Sequence, residues 1–85
     1  MTSKMTKTEV MQILKSEINR EGGIPVADIE DSADFFSLGL DSISCVYVLD
    51  RVEKKIKVEL NPIYFWDYPT VETLSGFIAS LTDHE

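Results

Sequence analysis

The stretch Leu38-Gly39-Leu40-Asp41-Ser42-Ile43 decides how the rest of this chain is read. It joins a segment rich in acids and aromatics to a run with helical periodicity. Asp and Ser are both favoured at helix starts, where a side-chain oxygen accepts a backbone N–H that lacks an intrahelical partner. A second helix is therefore expected from Asp41 or Ser42 to about Lys55. On a wheel of about 100° per residue, Cys45, Val48, Leu49, Val52 and Ile56 share one sector, the width of a core-facing stripe. Ile43, Tyr47, Asp50 and Lys54 fall on the opposite side. Two large apolar side chains thus stand beside Ser42 on a face the core does not need.

Upstream, Val10, Met11, Ile13, Leu14 and Ile18 recur at helical spacing and predict a first helix over Thr8 to Arg20, capped by Thr8 or Thr6. Gly22-Gly23 ends it, with Pro25 beyond. The connection from Ile24 to Leu40 is long for a small domain but carries seven large apolar residues, Ile24, Val26, Ile29, Phe35, Phe36, Leu38 and Leu40. Each such side chain, once buried, contributes on the order of 1.5 to 3 kcal/mol, so the segment is expected to be pinned, with Phe35, Phe36 and Leu38 holding it to the core. Downstream, Val58-Glu59-Leu60 is too short for a strand and reads as a connector. Asn61 and Pro62 start a brief third helix through Trp66, which Asp67-Tyr68-Pro69 stops. Thr70 caps a fourth helix with the stripe Val71, Leu74, Phe77, Ile78 and Leu81.

The expected fold is all-α: a small four-helix bundle with three main helices, a short third one and a long loop between the first and second. Its organisation is a flexible segment over 1–7, a domain over 8–81 and a frayed tail over 82–85. Trp66 is expected in the core or at its rim.

Composition narrows the function. The chain has 85 residues and a formal charge of -7, with 44% hydrophobic residues. Such a charge repels nucleic acid and anionic membrane surfaces. No apolar run approaches the roughly 18 residues of a membrane span, and no signal-type apolar region follows Met1. A soluble, monomeric, cytoplasmic protein is expected. One cysteine and one histidine exclude a disulfide framework and a zinc cluster. The acids Asp28, Glu30, Asp31 and Asp34 lack the glycine and the closing glutamate of a calcium loop. No metal site is expected.

Three readings of Ser42 are open. It is part of a helix cap; it is a catalytic nucleophile; or it is modified by another protein. The second lacks partners, since the lone His84 sits in the tail, no Gly-x-Ser-x-Gly elbow exists and no lysine is close in sequence. Nothing else in the chain supports catalysis, so no enzyme is expected. The third fits a phosphodiester, an anion favoured at the positive end of a helix.

The run Asp34-Phe35-Phe36-Ser37-Leu38-Gly39-Leu40-Asp41-Ser42-Ile43 resembles the attachment motif of acyl carrier proteins. The likeness extends from about Val10 to Leu81. The resemblance implies a non-catalytic carrier with 4′-phosphopantetheine linked covalently to Ser42 by a phosphopantetheinyl transferase. Acyl intermediates would ride as thioesters on that arm. It also implies that Asp41, Ile43, Tyr47 and Arg51 contact partner enzymes, the acyl-loading and acyl-processing ligases, acyltransferases or ketosynthases. Phe65-Trp66-Asp67-Tyr68-Pro69-Thr70 is similar to polyketide-synthase carriers, with Trp66 in place of a less bulky residue; a pocket for the acyl chain is the alternative to its packing in the core or at the rim. From Asp41 to Glu59 four acids balance four bases, so docking is expected to depend less on charge than on Ile43 and Tyr47. Fatty-acid biosynthesis is a related setting. A peptidyl or aminoacyl carrier is the second reading, and an unmodified helical adaptor the third.

Overall fold

A computed structural model describes residues 5–82. Helix α1 spans Lys7–Gly22, α2 Ser42–Ile56, α3 Tyr64–Asp67 and α4 Val71–Thr82. Two short 3₁₀ turns, Val26–Asp28 and Phe36–Leu38, lie in the loop between α1 and α2. The all-α bundle expected from periodicity is the observed architecture, with α1 packed against both α4 and α2.

Local chemistry explains the boundaries. Thr6, not Thr8, starts α1, through a reciprocal box in which Thr6 Oγ1 accepts Glu9 N–H and Glu9 Oε1 accepts Thr6 N–H. Gly23 ends the helix at φ 76°, donating its N–H to Asn19 O. Asp41 is the N-cap of α2, its Oδ1 accepting Ser44 N–H at 2.8 Å. The third helix begins later than expected: Asn61 Oδ1 accepts Ile63 N–H at 3.0 Å to form a turn, and regular helix starts only at Tyr64. Thr70 and Thr73 cap α4 reciprocally through their hydroxyls.

The core is built from Val10, Leu14 and Ile18 of α1, Val48, Leu49 and Val52 of α2 and Val71, Leu74 and Ile78 of α4, all essentially without solvent contact. Ile29, Phe35 and Leu40 anchor the long loop into it. Phe35 meets Phe65 edge-on at 4.7 Å between centroids, which ties the loop to α3. Backbone bonds add a seam to the start of α4: Phe35 N–H to Pro69 O, Val71 N–H to Ala33 O and Glu72 N–H to Asp31 O. The loop that carries Ser42 at its end is thereby clamped on two sides.

Several expectations change. Phe36 is more than a third exposed, and only Phe35 of the adjacent pair is buried. Trp66 is 65% exposed and belongs neither to the core nor to its rim. At the chain ends, Lys7 is helical and Thr82 is buried, its Oγ1 accepting Met5 N–H at 3.0 Å. This contact joins Met5 to the last residue of α4; the rest of the expected flexible segment and frayed tail falls on residues that are not described. Residues 1–4 and 83–85, His84 among them, lie outside the described residues.

The largest surprise is Glu17, a charged residue 1% exposed on the core side of α1. Its Oε1 accepts Arg51 Nε–H at 2.8 Å and its Oε2 lies 2.8 Å from Lys55 Nζ. Arg51 Nη2 reaches Glu21 Oε1 at 2.7 Å. Burial pushes the Glu17 carboxyl up, but Lys55 and Arg51 outweigh it and hold it below its ordinary value. This network fixes α2 against α1 and engages Arg51 within the fold.

Candidate attachment site

Ser42 is the first residue of α2 and is exposed. Its position is set from both directions. Gly39, at φ 89°, ends the preceding 3₁₀ turn in a left-handed conformation that suits glycine, and Leu40 is buried to 4% exposure just before the helix begins. Asp41 then takes the Ser44 N–H, so the cap is supplied by Asp41 and leaves the Ser42 side chain at the surface. The Asp41 carboxyl is held below the usual carboxylate range, chiefly by that backbone N–H and next by the Ser44 hydroxyl. An ionised carboxylate therefore stands beside the serine at neutral pH.

Beside Ser42 lies a cavity of about 60 Å³. The loop contributes Phe36 to it; α2 contributes Ser42, Cys45 and Val46; Pro62 and the α3 residues Phe65 and Trp66 close the far side. Phe36 and Trp66 lie with centroids 5.3 Å apart and planes inclined by 32°. Cys45 is buried, and burial, with the charges of Asp41 and Asp34, pushes its thiol up to about 11. It stays protonated and does not compete as a nucleophile at neutral pH.

Around this site the exposed large hydrophobics include Ile43 and Tyr47, as the helical wheel expects, at 65% and 53% exposure. Val46 completes them as an i, i+3, i+4 stripe that the sequence already contained. Ile63, just before α3, and Trp66 within it are a second exposed pair, three residues apart. Their signal was the burial of Phe65 between them, visible only once α3 is docked. The charges on the outer face of α2 are largely self-cancelling: Lys54 Nζ is 3.1 Å from Asp50 Oδ2.

A family model described as a phosphopantetheine attachment site matches residues 10–78. The chain belongs to this family. The carrier is 30% identical over 80 residues to the non-reducing polyketide synthase VdtA of Byssochlamys spectabilis, and 32% identical over 64 residues to the norsolorinic acid synthase of Dothistroma septosporum. Those alignments take in 93% and 73% of the carrier but 3% of each synthase. The carrier thus spans a small fraction of the length of these relatives. Among solved structures, it superposes on a free-standing peptidyl carrier protein from an uncharacterized Acinetobacter baumannii secondary metabolic pathway with a TM-score of 0.81 at 32% identity, over 87% of this chain and 92% of that one. The HMG-ACPI domain from the CurA module of Lyngbya majuscula gives 0.82 at 30% identity, over 98% and 88%. The fold is that of carrier domains, and the family attaches 4′-phosphopantetheine covalently to a serine.

The residues around Ser42 suit such a group. The hydroxyl is exposed, an apolar cavity adjoins it, and the start of a 15-residue helix favours an anion there. Among the described residues no helix is long and apolar enough to cross a membrane.

Proposed function

We propose that Ser42 is the attachment serine of this carrier and that it delivers acyl intermediates of polyketide or related biosynthesis to partner enzymes. The observation that carries the reading is an exposed serine at the first turn of α2 in a chain of the phosphopantetheine family.

Loading requires the Ser42 Oγ to attack the β-phosphorus of coenzyme A on a magnesium-dependent phosphopantetheinyl transferase. An Oγ–P bond forms, the pyrophosphate P–O bond breaks, adenosine 3′,5′-bisphosphate leaves and the hydroxyl proton passes to the transferase. Asp41, ionised beside Ser42, offers a carboxylate to a basic transferase surface. When bound, the arm supplies the terminal thiol on which acyl groups are carried. Ile43, Val46 and Tyr47 give partner enzymes an apolar docking face, and Arg51, a quarter exposed while its guanidinium holds Glu17 and Glu21, is a further contact on the same helix. In this reading the carrier works in the cytoplasm, where it meets coenzyme A, the transferase and the acyl-loading and acyl-processing enzymes.

Intact mass after incubation with coenzyme A, magnesium and a broad-specificity transferase tests the attachment. A gain of one phosphopantetheinyl group that disappears in Ser42→Ala is expected; no gain, or a gain that persists in the variant, refutes it. The likeness to a peptidyl carrier supports an amino-acid-loading alternative. Offering the loaded form to an acyl ligase or ketosynthase system and to an amino-acid-adenylating enzyme separates the two.

A further inference from the structure

We infer that Lys57, at the far end of α2 from Ser42, is an electrostatic docking point for a carboxylate on an acyl-processing enzyme, and that it sets the direction in which α2 lies on that enzyme. The inference rests on the reading of Ser42 as the attachment serine and of α2 as the docking helix.

The backbone singles out Lys57. Among the described residues, positive φ occurs at Gly23, at Gly39 and at Lys57, where it is 60°. At the first two positions the chain uses glycine, which takes this conformation freely. At the end of α2 it keeps a lysine, whose Cβ makes the left-handed backbone unfavourable. Complementing the helix dipole does not account for that choice, because Lys54 and Lys55 already stand in the last turn. Strain retained at an exposed residue points to a use for its side chain.

Charge indicates the use. From Asp28 to Asp50 the chain has six acids and no base, whereas Arg51 to Lys57 has four bases and one acid. Most of these cations are already engaged: Arg51 holds Glu17 and Glu21, Lys55 holds Glu17, and Lys54 Nζ lies 3.1 Å from Asp50 Oδ2. Among the described residues Lys57 is the one base in no ion pair, and it is exposed. An uncompensated ammonium at the basic end of an acidic protein is complementary to a carboxylate on a partner.

Geometry gives the class of partner. Helix α2 has 15 residues, so Lys57 stands about 20 Å along the axis from Ser42. Ile43, Val46 and Tyr47 lie near the Ser42 end. An interface of ordinary size covers about 800 Å² of each protein and is about 30 Å across. An enzyme that receives the arm from Ser42 and covers the apolar stripe therefore extends to Lys57. An acidic side chain placed there favours one polarity of α2, since the reversed helix would set Asp41 against it.

Lys57→Gly separates the two roles of this residue, because glycine keeps the backbone conformation and removes only the side chain. The carrier is loaded from acetyl-coenzyme A, loading is verified by mass, and acetyl transfer to a ketosynthase is followed. At about 50 mM salt Lys57→Gly should lower kcat/KM about fivefold, through KM, while Lys57→Glu lowers it further and Lys57→Arg restores it; at about 0.5 M salt all forms should converge. Lys57→Gly should melt no lower than wild type, which a purely structural role for the lysine does not combine with slower transfer. A carbodiimide, which joins amines to carboxylates in contact, should couple Lys57 to an Asp or Glu of the ketosynthase. Unchanged kcat/KM in Lys57→Gly, a loss that persists at high salt, cross-links that avoid Lys57, or loading without any transfer each overturns the inference and leaves the attachment reading intact. A wild type that gains no acetyl-phosphopantetheinyl mass brings down the attachment reading and this inference with it.

Discussion

Replacing Glu17 should show how much of this small fold depends on one buried carboxylate. Removing one member of a buried ionic group costs about 3 to 5 kcal/mol when the remaining charges stay desolvated. Here Arg51 keeps Glu21, and the Lys55 side chain is about half exposed, so water screens what is left behind. Glu17→Ala is therefore expected to cost about 2 to 3 kcal/mol, which lowers Tm by roughly 10 to 20 °C for a domain of this size. Glu17→Gln keeps the shape and an acceptor oxygen but removes the charge, and its deficit should follow pH. Because pairing lowers the folded carboxyl below its ordinary value of 4.5, the stabilisation is fully present above that pH and is lost as the pH falls through the folded value. Urea denaturation of wild type and Glu17→Gln from neutral to acidic pH provides the assay. The gap should be largest at neutral pH and close on acidification, as wild-type Glu17 takes up its proton. Equal stability at pH 7, or a gap that does not change with pH, refutes this account of the network.

Other substitutions test neighbouring parts of the argument. Phe35→Ala removes a fully buried ring and its edge contact with Phe65, and denaturation should show a loss of about 3 to 5 kcal/mol. Lys57 ends α2 at φ 60°, a conformation unfavourable for a side-chain-bearing residue, so Lys57→Gly should raise stability by about 1 kcal/mol in the same assay. Ser42→Ala should shift stability by no more than about 0.5 kcal/mol, since Asp41 supplies the cap and Ser42 is exposed. Ile43→Ser with Tyr47→Ala should likewise leave folding unchanged while slowing partner-catalysed loading or transfer about tenfold. That effect should depend weakly on salt, because Asp50 and Lys54 cancel each other on the outer face.

Much of the fold is legible in the pattern of apolar residues. Val10, Leu14 and Ile18, then Val48, Leu49 and Val52, then Val71, Leu74 and Ile78 repeat with the helical period, and each trio is buried. Capping residues marked most helix starts, because Thr6, Asp41 and Thr70 bond to donors only a few residues away. The aromatic residues were harder to place. Hydrophobicity is the same for Phe35 and Phe36, yet one is in the core and the other in water, since a 3₁₀ turn directs consecutive side chains to different sides. Trp66 departs from burial for the same kind of reason: its size suggests a core position, but α3 is a single turn that can bury only one face, and Phe65 occupies it.

By itself the sequence determined the number of main helices, the apolar stripes they turn to the core and the serine at the start of the second helix. Those properties depend on local periodicity, caps and a motif contiguous in the chain. Only the tertiary structure decided that Arg51 bonds to Glu17 and Glu21, that Thr82 closes on Met5, and that Phe36 and Trp66 wall a cavity with Ser42. These partners are far apart in sequence, and charge or hydrophobicity alone does not say which of many candidates a side chain will meet. Their pairing is set by how the helices and the clamped loop fit together.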